Sequence, residues 1–134
     1  MHCDHCGKDA GRARTPLCAA CRRITESQVQ EKIKSFWRGI GGFVNDYSQG
    51  YRPGGRHHGS TRQTEGVADL LLQHEGRGIA VFWETKRPGQ EQSGLTDAQR
   101  AFERRNEACG IPSGHGGWPE FVAKLQALGF TILR

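Results

Sequence analysis

Apolar side chains recur at helical spacing in only a few stretches of this chain, and between them the sequence is polar or rich in glycine. In TESQVQEKIKSFWRGIGG, Val29, Ile33, Phe36, Trp37 and Ile40 fall at steps of three and four, which predicts an amphipathic helix. Thr25 is placed to cap it with Gln28 three positions on, and Gly41-Gly42 ends it. GFVNDYS follows as a short strand. VADLLLQH and GIAVFWETK are short runs rich in Val, Ile, Leu, Phe and Trp; joined by the turn EGRG, they read as a largely buried hairpin.

The helical spacing returns in SGLTDAQRAFERRNEACG, with Thr96 as N-cap, Gln99 as its partner and Gly110 as the stop. A short strand is expected at Ile111-Pro112-Ser113. WPEFVAKLQALG is another helix, opened by Pro119 and closed by Gly129, and FTILR is expected to end the chain as a strand. Between the first strand and the hairpin lies QGYRPGGRHHGSTRQTEG, which has five glycines and no apolar periodicity, and reads as a long exposed loop. No internal repeat is visible. This order of elements places the chain in the α/β class, with a mixed β-sheet flanked by helices.

At 134 residues the chain has room for one domain and a small appendage. Only 35% of its residues are hydrophobic and 19 are glycine, which excludes a large core. No run is long and apolar enough for a membrane span, and MHCDHCGKDA lacks the apolar stretch of a signal peptide, so no membrane association and a cytoplasmic location are expected. The net charge of +5 is uneven: residues 1–65 carry 11 basic and 6 acidic side chains, residues 66–134 carry 8 and 8. A basic half beside a neutral half suits a partner with a negative backbone, and nucleic acid is the first candidate.

Four of the five cysteines fall as Cys3-x2-Cys6 and Cys18-x2-Cys21, eleven residues apart. Two tight turns that each offer two thiolates match the needs of one tetrahedral Zn²⁺, with His2 and His5 as substitute ligands. Residues 1–24 are therefore expected to form a small zinc-binding module. It has almost no apolar side chains, and metal binding has to supply its folding free energy. A disulfide framework is disfavoured because cytosolic thiols stay reduced. Four thiolates leave no open position on the metal, so this zinc is structural, and it presents Arg12, Arg14, Arg22 and Arg23 to a phosphate backbone. Cys109 stands seven residues after Phe102 on the same helix face and is expected to be buried and inert.

The remaining chemistry gathers at Gly66-Val67-Ala68-Asp69 and, after fourteen intervening residues, at Glu84-Thr85-Lys86. If the hairpin pairs as read, Asp69 lies near Glu84, and Glu84 and Lys86 project from one face of their strand. Two carboxylates at one sheet edge repel unless a cation sits between them, and a hard ion such as Mg²⁺ or Mn²⁺ accepts that oxygen set together with the Thr85 carbonyl. Such a metal with a lysine beside it is what phosphodiester hydrolysis requires. A plain Glu84–Lys86 ion pair is the competing account. His57 and His58 raise the idea of a histidine-metal nuclease, but no helical pattern follows them; Arg52, Arg56 and Arg62 in that loop are expected to touch the DNA backbone.

GVADLLL, then FWETKRPG, then S-x-L-T-x-x-Q on the next helix, then a strand and a helix ending in LGF, resembles the VRR-NUC domain of the PD-(D/E)XK nuclease superfamily over residues 25–134. Ala68 stands where many members carry proline. The resemblance implies that Asp69 and Glu84 bind the catalytic divalent metal and that Lys86 is catalytic. It also implies an acidic residue on the first helix, which falls on Glu26, with Gln30 one turn later and Glu31 as the substitute. It matches Gln99 to the family's glutamine, although Thr96 and Gln99 also form a capping box that needs no substrate. The implied function is a Mg²⁺- or Mn²⁺-dependent endonuclease, similar to stand-alone phage and bacterial proteins of DNA repair or recombination. It would cut branched, junction or flap DNA, as a homodimer with two sites on one DNA. The alternative is a zinc-ribbon nucleic-acid-binding protein on an inactive nuclease-like fold.

Overall fold

The structure, a computed structural model, describes residues 2–8, 17–48, 66–91 and 94–132. Its elements are α1 (Ala19–Arg22), α2 (Glu26–Gly39), β1 (Phe43–Asp46), β2 (Leu70–His74), β3 (Ile79–Thr85), α3 (Asp97–Ala108), β4 (Ser113–Gly116) and α4 (Trp118–Ala127). The four strands form one sheet in the order β1-β2-β3-β4, flanked by helices. β1 pairs antiparallel with β2 and β2 antiparallel with β3, in the hairpin register Leu70↔Trp83 to His74↔Ile79. Phe82 N–H donates to the Pro112 carbonyl and Lys86 N–H to that of Gly116, each at 3.0 Å. Both partners advance in the same direction, so β4 joins in parallel after the α3 crossover and the sheet is mixed.

The chain divides into two compact units, one of residues 1–33, 85–94 and 115–134 and the other of 34–84 and 95–114. The second holds most of the sheet. Directly opposed residues share a face, so Leu70 with Trp83 and Leu72 with Val81 form one apolar layer, all at most 1% exposed. The other face of the hairpin carries Phe82, whose ring meets Phe102 of α3 edge-on at 5.1 Å. Trp37 is fully buried and its indole N–H donates to the Gln73 carbonyl at 3.0 Å. A Cβ at Gly114 would come within 2.5 Å of the Trp83 ring, which explains why a strand as poor in β-formers as Ser-Gly-His-Gly is tolerated there.

In the first unit the buried apolar side chains include Val29, Ile33, Phe121, Val122, Leu125 and Phe130. The head of α2 is a reciprocal cap: Gln28 N–H donates to Thr25 Oγ1 at 3.1 Å and Thr25 N–H to Gln28 Oε1 at 2.9 Å. Among the described residues no helix is long and apolar enough to cross a membrane.

Three expectations are corrected. The short strand is Ser113–Gly116, not Ile111-Pro112-Ser113. Phe130, Thr131 and Ile132 form no strand, and the remaining FTILR residues lie outside the described set. Both errors have one cause. α3 and α4 end on left-handed glycines, Gly110 at φ 74° and Gly129 at φ 96°, and the next residue reaches back five positions: Ile111 N–H to the Asn106 carbonyl at 2.8 Å, Phe130 N–H to that of Leu125 at 2.9 Å. This is the Schellman closure, in which an apolar residue after the glycine belongs to the helix end. Finally, Cys109 is exposed, because α3 stops at Ala108 and the buried position four residues after Phe102 is taken by Asn106. The glycine-rich loop, with Arg52, Arg56, His57, His58 and Arg62, falls outside the described residues, as do Arg12 and Arg14.

Candidate functional site

The site is built where the hairpin meets α3. Along β3 the side chains alternate, so Phe82 and Glu84 point to the same face; along α3, Gln99 and Phe102 lie three apart on one side. Phe82 meets Phe102, and the same alignment delivers Gln99 to Glu84: its amide Nε2 donates to Glu84 Oε1 at 2.7 Å. The other carboxylate oxygen, Oε2, accepts from the main-chain N–H of Asp69 at 3.1 Å. Glu84 is 6% exposed and Asp69 half-buried. Burying a carboxylate is tolerable when both oxygens are hydrogen-bonded, and two of the bonds that do so fix its orientation toward the Asp69 segment.

Gln99 performs two tasks with one side chain. Its Oε1 accepts from Thr96 N–H at 2.9 Å while its own N–H donates to Thr96 Oγ1 at 3.1 Å, which is the capping box the spacing predicts. Its Nε2 is then left facing Glu84. The amide orientation follows from the network, since the reversed one would set NH₂ against N–H and oxygen against carboxylate. The two readings of Gln99 are thus satisfied together.

The backbone around Asp69 is held from two sides. The Asp69 carbonyl accepts from Tyr47 N–H at 2.7 Å, which extends the β1–β2 ladder by one step. Gly66 has φ 86°, and a Cβ there would stand 2.4 Å from the carbonyl carbon and oxygen of Ala98, so this turn lies flush on the first turn of α3 in a way only glycine permits. Nearby, Lys34 of α2 forms an ion pair with Asp46 at 2.8 Å, both partners largely buried. Burial pushes the Asp46 carboxyl up, but hydrogen bonds from Lys34 and Ser48 outweigh it and hold it below its ordinary value. The sequence reading missed this pair; its signal was a lysine between Ile33 and Trp37 on an otherwise apolar stripe.

Of the other expected site residues, Thr85 is fully buried and Lys86 is 8% exposed, with its main chain tied to β4. Glu26 is exposed at the head of α2, Glu31 is exposed and Gln30 half-buried.

The four cysteine sulfurs lie within 4.8 Å of one another, with Cys6 and Cys18 3.8 Å apart. Sulfurs about 2.3 Å from one tetrahedral Zn²⁺ stand about 3.8 Å apart, so the quartet could hold zinc. All are free thiols. The first turn closes through Gly7 N–H to the Cys3 carbonyl at 2.8 Å, with Gly7 at φ 74°, and the second runs into α1. Burial opposes ionisation of Cys3, yet main-chain amides of Cys18, Cys6 and His5 outweigh it and bring the thiol down to about 6. Cys18 is lowered chiefly by Cys21, whereas burial and the three neighbouring sulfurs push Cys21 up. As four thiolates at this spacing the sulfurs would repel one another without a cation between them. His2 and His5 are outside the cluster. Arg22 and Arg23 are exposed beside it, the latter with Nε on the Ala19 carbonyl at 3.2 Å.

A mixed four-strand sheet flanked by helices, with a carboxylate segment entering one strand and a second carboxylate leaving its antiparallel neighbour, defines an α/β fold. The particular fold is that of a VRR_NUC domain: a solved structure of that description matches this chain with a TM-score of 0.55 at 23% sequence identity, over 80% of this chain and 100% of that one. No protein-family model matches the sequence. No curated protein does either.

Proposed function

We propose that this chain is a divalent-metal-dependent endonuclease that hydrolyses DNA phosphodiester bonds, selective for branched, junction or flap DNA. The observation that carries the reading is the Glu84 carboxylate held between Asp69 N–H and the Gln99 amide, in the fold of a VRR_NUC domain. Asp69, Glu84 and the Thr85 carbonyl offer oxygen donors alone, which fits a hard cation such as Mg²⁺ or Mn²⁺. When bound, that ion supplies Lewis acidity toward a phosphate and lowers the pKa of water. Lys86, two residues after Glu84, would orient the attacking water through Nζ and offset charge developing on the phosphate. Gln99 keeps Glu84 aimed; Glu26, or Glu31 in its place, completes the acidic set.

In this reading residues 1–24 form a structural zinc module and residues 25–134 the nuclease domain. Cys3, Cys6, Cys18 and Cys21 hold Zn²⁺, and Arg12, Arg14, Arg22, Arg23, Arg52, Arg56 and Arg62 contact phosphates and set position rather than sequence preference. A homodimer would place two such sites on one DNA.

The test is incubation of the pure protein with branched, duplex and single-stranded DNA in Mg²⁺, Mn²⁺ or EDTA. Metal-dependent cutting, strongest on branched DNA and lost in Asp69→Ala and Lys86→Ala, is expected. Binding without cutting, unchanged by either substitution, would overturn it in favour of a nucleic-acid-binding protein on an inactive nuclease-like fold.

A further inference from the structure

The chain has three tryptophans, and two of them are interior: Trp37 is 0% exposed and Trp83 1%. The third, Trp118, is half-buried at the head of α4. The fully buried Phe121 flanks its ring at 6.0 Å with a 40° tilt, and the Nζ of the exposed Lys32 lies over its face, 4.6 Å from the ring centroid. Pro119 and the Gly117–Glu120 hydrogen bond of 3.3 Å fix the first turn of α4, and with it the backbone that carries the indole. The geometry thus presents a preorganised aromatic plane under a long, flexible cation.

We propose that Trp118 and Lys32 form a docking site for an unstacked nucleobase of a DNA strand, the base lying on the indole and Lys32 Nζ moving onto the adjacent phosphate. This rests on the nuclease reading for its choice of DNA as partner. Every base has a π-face, so the contact is indifferent to sequence. It is not indifferent to structure, because a base inside a duplex is already stacked on its neighbours. The site therefore favours strands with unpaired bases, such as the arm of a flap or fork. Lys32 exchanges one favourable contact for another: a cation over an aromatic ring in the free protein, and a phosphate in the complex. A ring already packed on Phe121 and carried by a capped helix turn keeps the ordering cost of binding low.

The test is a titration of tryptophan emission in EDTA, so that no cleavage intervenes, with an oligothymidylate, an abasic strand of equal length and a blunt duplex. Because Trp37 and Trp83 are interior, quenching by a stacked base reports Trp118. Saturable quenching by oligothymidylate and little by the other two is expected. Trp118→Leu should abolish it and weaken oligothymidylate binding about 5- to 100-fold, while Trp118→Tyr keeps most of the affinity. Lys32→Gln should weaken binding a few-fold and flatten its salt dependence by about one charge. The interior emission of Trp37 and Trp83 shows whether each variant is folded; if Trp118→Leu is not, Lys32→Gln decides. Equal quenching by the abasic strand, no binding of any strand, or unchanged affinity in folded Trp118→Leu or in Lys32→Gln would overturn the proposal. Selective quenching without metal-dependent cutting under the conditions above would instead sink the nuclease reading and leave the docking site standing.

Discussion

Glutamine 99 can be tested so that its two tasks separate. In Gln99→Glu the helix cap survives, since a carboxylate oxygen accepts from Thr96 N–H as the amide oxygen does. What changes is the other end, where Nε2 donates to Glu84 Oε1 at 2.7 Å and would be replaced by an anionic oxygen. The lost bond is a neutral donor on a charged acceptor, about 1.5–3 kcal/mol. Two unit charges about 3 Å apart at an effective dielectric of about 20 repel by about 5 kcal/mol before the side chains move apart. Rotation sheds part of this and leaves a net cost of about 2–4 kcal/mol. For a 134-residue chain, 1 kcal/mol shifts the melting temperature by about 3–4 °C, so Gln99→Glu should melt about 7–14 °C lower in EDTA. Thr96→Ala, which loses the cap and keeps the Glu84 contact, should cost about 1 kcal/mol and about 3–4 °C. Adding Mg²⁺ or Mn²⁺ should narrow the Gln99→Glu gap, because a cation at Glu84 offsets the added charge. Differential scanning fluorimetry with and without metal reads all of this. A Gln99→Glu protein that melts within about 2 °C of the parent in EDTA would refute the contact, and a gap that widens with metal would refute the assignment of Glu84 as a metal ligand.

Other perturbations give equally direct readings. Gly66→Ala forces a Cβ to within 2.4 Å of the Ala98 backbone at φ 86°, and should cost about 2–5 kcal/mol in chemical denaturation; a neutral result would mean the turn does not lie on α3. Cys18→Ser should lose bound zinc by elemental analysis and lower the melting temperature, whereas Cys109→Ser, at an exposed helix end, should change neither. The Asp46 carboxyl is held below its ordinary 3.8, so the stability it contributes is fully present above that pH and lost as pH falls through the lower folded value; Asp46→Asn should flatten the acid limb of a stability–pH curve below 3.8, and an unchanged limb would count against the Lys34 pair.

What could be read from the sequence was local. Both capping boxes follow from residues three apart, and the hairpin from two apolar runs across a four-residue turn. Their register then places Asp69 against Glu84 without any knowledge of the third dimension. What could not be read depends on partners distant in sequence. Ile111 and Phe130 look like strand starts, but they are the apolar residues that close two helix ends. Ser113–Gly116 reads poorly as a strand because its reason is the Trp83 ring standing where a Cβ would be. The link from Gln99 to Glu84 needs the phase of α3 against β3, which Phe82 and Phe102 set by packing. The Lys34–Asp46 pair likewise joins two elements whose proximity no spacing announces.

The hairpin has a far end as well as a site end. There His74 accepts from Arg77 N–H through Nδ1 at 3.1 Å while its Nε2 lies 2.8 Å from the Ile40 carbonyl oxygen; a single ring fastens the turn to the end of α2. Five paired residues separate this turn from Asp69 and Glu84, a distance of about 17–20 Å at strand rise. Glu75 is exposed on it and engages the turn through its main-chain carbonyl, which takes Gly78 N–H at 3.1 Å. A fluorophore or surface tether carried at position 75 through a chemistry that spares the exposed thiols of Cys6 and Cys109 would therefore sit on the firm end of the sheet, away from Asp69 and Glu84. The turn is thus a natural handle for single-molecule observation of the hairpin.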